Sequence, residues 1–138
     1  MSFQFSDAAR NAALDAIEAA IGTSPKLQIR SGALPETTAA ADAGALLVEI
    51  DLPADWLEDA QTGVKTIKGL WTGTGSEAAG GGTNAGHFRI KNTAGTLTHI
   101  QGSITITGAG GDMELDNPNI ARNQSVSVTT FTLSAGGE

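Results

Sequence analysis

Length, composition and charge restrict what this chain can do. Its 138 residues include 8 basic and 15 acidic side chains, which gives a net charge of −7 and fits one domain over residues 1–138. Nucleic acid and anionic membrane surfaces both attract basic patches, so neither is expected as a partner. The chain has no cysteine, which excludes disulfides, thiolate metal ligands and cysteine nucleophiles.

The first 25 residues predict an arm followed by an α-helix. Ser6 is a suitable N-cap, since its hydroxyl can accept a hydrogen bond from the first helical turn. An alanine-rich segment follows, and Gly22 with Pro25 marks its end. One helical stripe, expected to be buried, consists of Leu14, Ile17 and Ile21. The narrow, mostly alanine face suits close packing on a flat surface.

Two aromatic residues, Phe3 and Phe5, precede the helix. Aromatic rings contribute a large apolar area, so an arm that carries two of them is expected to be anchored. The anchor is either the chain's own core or a neighbouring subunit. We therefore predict Phe3 and Phe5 as partner contacts.

Beyond Pro25 the apolar pattern changes from the helical period to the alternation of strands. The predicted strands, in chain order, cover residues 26–30, 45–52, 64–71, 87–91, 98–106, 112–116 and 125–134. In the strand 87–91, Phe88 and Ile90 are predicted to face the core. The residues expected to face outward are His87, Arg89 and Lys91. A shift of the apolar face along the last strand indicates a bulge near residues 129–130.

Seven or eight short strands after a single helix predict a mainly β fold. The architecture we expect is an antiparallel β-sandwich, jelly-roll-like, over residues 26–138, with the N-terminal arm and one α-helix over residues 1–25. Trp56 and Trp71 are interpreted as core residues, because large rings tend to close the end of a small sandwich.

A glycine-rich loop is predicted over residues 72–86, with Gly80, Gly81 and Gly82 in succession. It lacks the lysine of a phosphate-binding loop and the strand–helix context of a dinucleotide site, so it predicts no cofactor. The loop is interpreted as a flexible surface loop. If it has a function, it is a contact arm that orders on a partner, and the three glycines join the predicted partner contacts.

Three alternating carboxylates, Asp112, Glu114 and Asp116, are expected to share one face of a strand. Carboxylates hold calcium and catalyse glycoside hydrolysis, but this spacing lacks the glycine of a calcium loop and the chain has few aromatic residues for sugar binding. A solvated strand face is favoured, and a bound ion stays open. His87 and His99 are too few for a zinc site. We predict no catalytic residue, no metal site and no cofactor, and a small glycan hydrolase is the least favoured function.

Several segments together resemble a known group of proteins. They are LQIRSG at 27–32, GHFRI at 86–90, THIQGSI at 98–104, DMELDN at 112–117, NQSVSV at 123–128 and FTL at 131–133. Across nearly its whole length the chain resembles small structural proteins of tailed bacteriophages and prophages. The resemblance implies a virion protein that is assembled in the host cytoplasm.

Such a resemblance implies a capsid decoration (cement) protein, which binds the shell and stabilises it. The implied partners are the major capsid protein or other virion proteins, and further copies of this chain in a homo-oligomer. A tail or tail-fibre component that takes part in host attachment is the alternative. Neither role is enzymatic.

Overall fold

One helix and ten short strands follow each other along the chain in the computed structural model, which describes residues 3–135. The helix α1 spans Asp7–Ile21. The strands are β1 (Lys26–Arg30), β2 (Leu46–Asp51), β3 (Val64–Thr66), β4 (Thr72–Thr74), β5 (Thr83–Asn84), β6 (His87–Lys91), β7 (Thr98–Ile106), β8 (Met113–Leu115), β9 (Asn119–Ile120) and β10 (Ser125–Ser134). A 3₁₀ helix, Glu77–Ala79, lies between β4 and β5. The fold is mainly β with one N-terminal α-helix, as the sequence predicts.

Eight strands form one mixed sheet in the order β2-β1-β6-β7-β8-β10-β3, with β4 added to β10, and β5 pairs with β9 separately. β7 and β8 are parallel, with Ile104 opposite Met113. The expectation of a wholly antiparallel sheet is therefore wrong at this pair. Residues 107–112 turn back along β7, with Gly108 and Gly110 at positive φ, so that β8 enters beside β7 in the same direction.

The sheet curls until its two ends meet. Gly73 of β4 lies against β2, where a Cβ would be 2.6 Å from Ile50 Cγ1 and 2.9 Å from Val48 Cγ2. The amide of Ser76 donates to the carbonyl oxygen of Leu47 in β2, at 2.7 Å. The absence of a side chain at Gly73 therefore allows the close approach that encloses the core.

A row of four aromatic rings runs through this core. The centroid distances are 6.0 Å from Trp56 to Trp71, 5.7 Å from Trp71 to Phe131 and 5.6 Å from Phe131 to Phe88. All four side chains are buried. Trp56 Nε1 donates to the carbonyl oxygen of Gly22 at 3.1 Å, which ties the end of α1 to the core. The interpretation of both tryptophans as core residues is confirmed.

Local signals in the sequence predict the helix ends and the last strand correctly. Ser6 Oγ accepts a hydrogen bond from the amide of Ala9 at 3.1 Å. Gly22 follows the helix at φ 94°, a conformation that glycine adopts at little cost. The pairing of β10 with β8 shifts register between Val128 and Thr130, which confirms the predicted bulge.

The segment 64–71 does not form the single strand that the sequence predicts. Within it only β3 is a strand, and β4 begins just after it; the two pair with opposite ends of β10. Gly69 lies between them at φ 78° and ends the extended run. The predicted loop 72–86 correspondingly contains β4, the 3₁₀ helix and β5, because backbone pairing with β10 and β9 orders it.

The prediction that three side chains of β6 face outward to solvent is wrong. The buried residues are His87, Arg89 and Lys91. The loop between β1 and β2, residues 31–45, folds back over this face of the sheet, and Arg89 donates to the carbonyl oxygens of Thr37 at 2.9 Å and Ala40 at 3.0 Å. Alternation predicts which residues share a face but not whether a loop covers that face.

Candidate functional site

Helix α1 is attached to the body through the side that carries its charged residues. Arg10 is buried, and its Nε donates to the carbonyl oxygen of Ala135, just beyond β10, at 3.1 Å. Its Nη1 forms an ion pair with Asp7 at 3.1 Å. Gly63 leaves room for the guanidinium, because a Cβ there would overlap it. Arg10 therefore links the helix to the end of the last strand.

A buried lysine from β3 holds the second half of the helix. Lys65 Nζ lies 2.8 Å from Asp15 Oδ1 and 2.6 Å from Glu18 Oε1. Burial disfavours the charge on Lys65, but the hydrogen bonds and charges of both carboxylates outweigh it and raise the pKa of the lysine above its ordinary value. Leu14 and Ile21 are buried on the same side of the helix. Polar and apolar contacts together hold this side inward.

The opposite side of α1 is apolar and open to solvent. Its exposed residues are Ala8, Ala9, Ala12, Ala13, Ala16, Ile17, Ala19 and Ala20. They cover about half of the helix circumference at 3.6 residues per turn. The expectation that Ile17 is buried with Leu14 and Ile21 is wrong, since Ile17 is 40% exposed at the edge of the buried sector. Surface helices usually present polar residues outward; in α1 the alanine face is open instead, although Asp7 and Asp15 on the polar side are also exposed.

The arm extends this apolar surface. Phe3 is 76% exposed and Phe5 is 51% exposed, and their rings meet edge to face with centroids 5.3 Å apart. Neither ring enters the chain's own core. We call Phe3, Phe5 and the exposed side of α1 the N-terminal contact surface.

An apolar groove lies beside the second aromatic residue of the arm. Its volume is about 310 Å³, and it is lined by Phe5, Ala9, Arg10, Ala13 and Ala135. An apolar cavity of about 150 Å³ can hold a benzene molecule. The groove therefore has room for an aromatic side chain from another molecule.

The three predicted contact glycines form an exposed bend after the 3₁₀ helix. A Cβ at Gly80 or Gly81 would have no neighbour within 4 Å. The amide of Arg122 donates to the carbonyl oxygen of Gly80 at 2.8 Å, which joins the bend to the turn before β10. Gly82, at φ 143°, lies against Asn119. The bend is thus at the surface, as the sequence predicts, and its contact with a partner stays a prediction.

One carboxylate of the loop 31–45 forms ion pairs with three cationic side chains of the sheet. Asp42 lies 2.8 Å from Arg89, 2.6 Å from Lys91 and 3.3 Å from Arg30. Burial opposes ionisation of Asp42, but the hydrogen bonds from Lys91 and Arg89 and the charge of Arg30 outweigh it, so the pKa of this carboxyl lies below its ordinary value. Arg89 also donates to Gln101 Oε1 at 3.0 Å. These groups fix the loop to the sheet.

The carboxylates of 112–116 are used in turns rather than gathered into a site. Asp112 accepts a hydrogen bond from the amide of Ser103 at 3.0 Å. Glu114 accepts from the amide of Gly110 at 2.9 Å, and this hydrogen bond lowers the pKa of Glu114. Asp116 accepts from two backbone amides, at 2.9 and 3.0 Å. Within residues 3–135 no three His, Cys, Asp or Glu side chains are grouped as metal ligands.

The two histidines have separate environments. His87 is buried, and its Nδ1 lies 3.0 Å from the carbonyl oxygen of Gly32, so Nδ1 carries the proton. Its Nε2 is buried without a hydrogen-bond partner in the described part of the chain. His99 is left out of the β6–β7 register where the pairing shifts. His87 therefore contributes to packing of the loop 31–45.

Sequence reasoning missed that the alanine face of α1 is open. A signal was present in the distribution of the polar residues, which all lie on one side of the helix: Asp7, Arg10, Asn11, Asp15 and Glu18. That signal could not be used alone, because the buried partner Lys65 is 47 residues from Glu18 along the chain. Polar residues face inward only where such a partner exists.

No protein-family model, no curated protein and no solved structure matches the chain. Over residues 3–135, no helix has the length and apolar character needed to cross a bilayer. Helix α1 has 15 residues, whereas a bilayer core requires about 20.

Proposed function

We propose that this chain is a structural virion protein of a tailed phage, a capsid decoration protein that binds the shell and stabilises it. The observation that carries the proposal is the N-terminal contact surface, where two aromatic rings and an uncharged helix face are exposed. Apolar patches of this kind mark sites of protein–protein interaction. The resemblance of the sequence to small phage structural proteins supports the same role.

The engagement of the polar groups also supports a contact role. Arg89, Lys91 and Asp42 hold the loop 31–45, and the carboxylates of 112–116 hold turns. These groups are bound to their own chain and add rigidity to the body. The surfaces left for recognition of other proteins are the mainly apolar arm and the exposed backbone of the glycine bend.

Stabilisation of a shell follows from mass action. A protein that binds the assembled shell, but not its free subunits, stabilises the shell by an amount that grows with its concentration relative to Kd. Many equivalent sites on a capsid repeat the same contact. Modest binding at each site is therefore sufficient for a large total effect.

We also infer that the curled sheet closes as a jelly-roll-like sandwich. The contact of Gly73 in β4 with Val48 and Ile50 in β2 supports this closure, since it joins the two ends of the eight-stranded sheet. A closed body holds the arm and the glycine bend at a fixed separation. That fixed separation suits simultaneous contacts with neighbouring shell subunits.

Binding to purified shells tests the proposal. Expanded capsids of the encoding phage that lack this protein should bind it saturably in a cosedimentation assay. The double variant Phe3→Ser, Phe5→Ser should bind at least about tenfold more weakly, because central aromatic contacts dominate interface energies. Leu70→Ser is the matched control, since Leu70 is 85% exposed and lies outside the N-terminal contact surface.

Two outcomes would contradict the proposal. Wild-type protein that ignores expanded capsids but binds purified tails would assign the chain to the tail. Saturable binding that the double variant leaves unchanged would exclude the N-terminal contact surface as the binding site. In that case the glycine bend, tested with Gly81→Trp, would be the next surface to examine.

A further inference from the structure

We infer that the N-terminal contact surface binds a second copy of this chain, with the Phe3 ring of each copy in the apolar groove of the other. This inference rests on the proposed function and names the partner at that surface: neighbouring copies bind each other there, so loss of the rings weakens decoration of the shell through loss of the pair. Phe3 is the more exposed ring of the arm, at 76%. The groove lies on the same surface, beside Phe5.

The presence of a projecting ring and a receiving groove on one surface is what selects a second copy. A two-fold pair is self-complementary, because each copy offers the feature that the other accepts. The groove volume of about 310 Å³ exceeds the roughly 150 Å³ that holds a benzene molecule. Ala9 and Ala13 present only methyl groups to the incoming ring.

Charge also permits two acidic copies to approach at this surface. The chain has a net charge of −7, so two copies repel each other overall. Residues 3–6 of the arm and the alanine face of α1 carry no charged side chain. The acids that border this surface, Asp7 and Asp15, are 63% and 62% exposed and are paired with Arg10 and Lys65. Arg10, which lines the groove, forms an ion pair with Asp7. Like charges are therefore not brought face to face in the pair.

The area is sufficient for a weak, specific pair. At their present exposure the two rings offer roughly 250 Å² per copy, given about 150–250 Å² for a fully buried aromatic side chain. The helix face, about 22 Å long and 10 Å wide, offers a similar area. Two copies then bury roughly 1,000 Å² in total, which is the threshold of a specific interface. We expect a dimer that dissociates at micromolar concentrations.

Sedimentation velocity over a range of concentrations measures this association. Wild-type protein should change from monomer to dimer as its concentration rises. Phe3→Ser removes the ring and Ala13→Glu places a charge in the groove, and each should raise the dimer Kd at least about tenfold. Glutamate is a good helix former, so Ala13→Glu should keep its fold, which circular dichroism verifies. Ala39→Glu, at an exposed position in the loop 31–45, is the matched control and should dimerise normally.

A mixing experiment separates ring-in-groove binding from general adhesion. Phe3→Ser retains an intact groove, and Ala13→Glu retains an intact ring. Neither variant alone should form a pair with a ring in a groove, but a mixture should form a heterodimer with one such contact. The expected result is association of the mixture at concentrations where each variant alone is monomeric.

The outcomes distinguish this inference from the proposed function. Wild-type protein that stays monomeric at several hundred micromolar, or Phe3→Ser protein that dimerises normally, would overturn the inference. A monomer that still decorates capsids would leave the proposed function intact and assign the surface to the shell. A dimer that the two variants disrupt, but that ignores capsids, would support the inference and contradict the proposed function.

Discussion

Strand β6 and helix α1 both bury charged side chains, one under a loop of the same chain and the other against a neighbouring strand. In β6, Arg89 and Lys91 contact Asp42 and carbonyl groups of the loop 31–45, so both faces of the strand are covered. In α1, Glu18 contacts Lys65 of β3, and Arg10 contacts the backbone just beyond β10. The alanine face of the helix stays open. Charged side chains face inward in both regions. A loop covers them in β6, whereas in α1 the apolar face of the helix is left exposed to solvent.

The comparison shows that polarity alone does not decide which face is buried. A charged side chain can be buried where enough acceptors surround it, as Arg89 is. Alanine can remain exposed where nothing covers it. The polar side of a helix or strand faces inward where hydrogen-bond and ion-pair partners are present. Whether the element then exposes an apolar face depends on what covers its other side.

The largest effect is expected from the centre of the buried cluster. Arg89→Ala removes donors to the loop 31–45 and leaves Asp42 with fewer partners. We expect a loss of about 3 kcal/mol in the free energy of unfolding, at the lower end for a broken buried ion pair because Asp42 can regain water. Urea denaturation measures it. Arg122→Ala, at an exposed arginine, should change stability by less than about 0.5 kcal/mol. A loss below about 1 kcal/mol for Arg89→Ala would show that the loop is not fixed by this cluster.

An intermediate effect is expected where the helix meets the body. Gly63→Ala combines a positive φ of 74° with an overlap of its Cβ on the Arg10 guanidinium, and we expect a loss of about 2 kcal/mol. Gly108→Ala has a similar φ of 89° but no neighbour within 4 Å, so it should lose only about 1 kcal/mol. The difference, measured by thermal unfolding, isolates displacement of Arg10. Equal losses would mean that Arg10 moves without cost.

The smallest effect is expected from titration of the loop carboxylate. The folded state lowers the pKa of Asp42, so the stability that it contributes is complete above the ordinary aspartate pKa of about 3.9. This contribution is lost as pH falls through the lower folded pKa. Wild type should therefore exceed Asp42→Asn in stability at pH 7, and the difference should shrink below pH 4. A difference between wild type and Asp42→Asn that persists unchanged at pH 2 would contradict the assignment.

Short-range patterns predicted much of the fold. The helix from its Ser6 cap to Gly22, the bulge in β10 and the burial of Trp56 and Trp71 all follow from properties within a few residues. The parallel entry of β8 and the interruption between β3 and β4 do not. They depend on how residues 107–112 and Gly69 turn, and several turns are compatible with the same glycine-rich sequence.

The features of the candidate site also separate into those that the sequence predicts and those that the tertiary structure decides. Residue types by themselves placed Phe3 and Phe5 outside the regular elements and made α1 rich in alanine. Only the tertiary structure decided that the alanine face is open and that β6 is covered. The reason is that Lys65 and the carbonyl groups of the loop 31–45 are far along the chain from the charges they contact, and a charged residue is buried only where such distant partners converge on it.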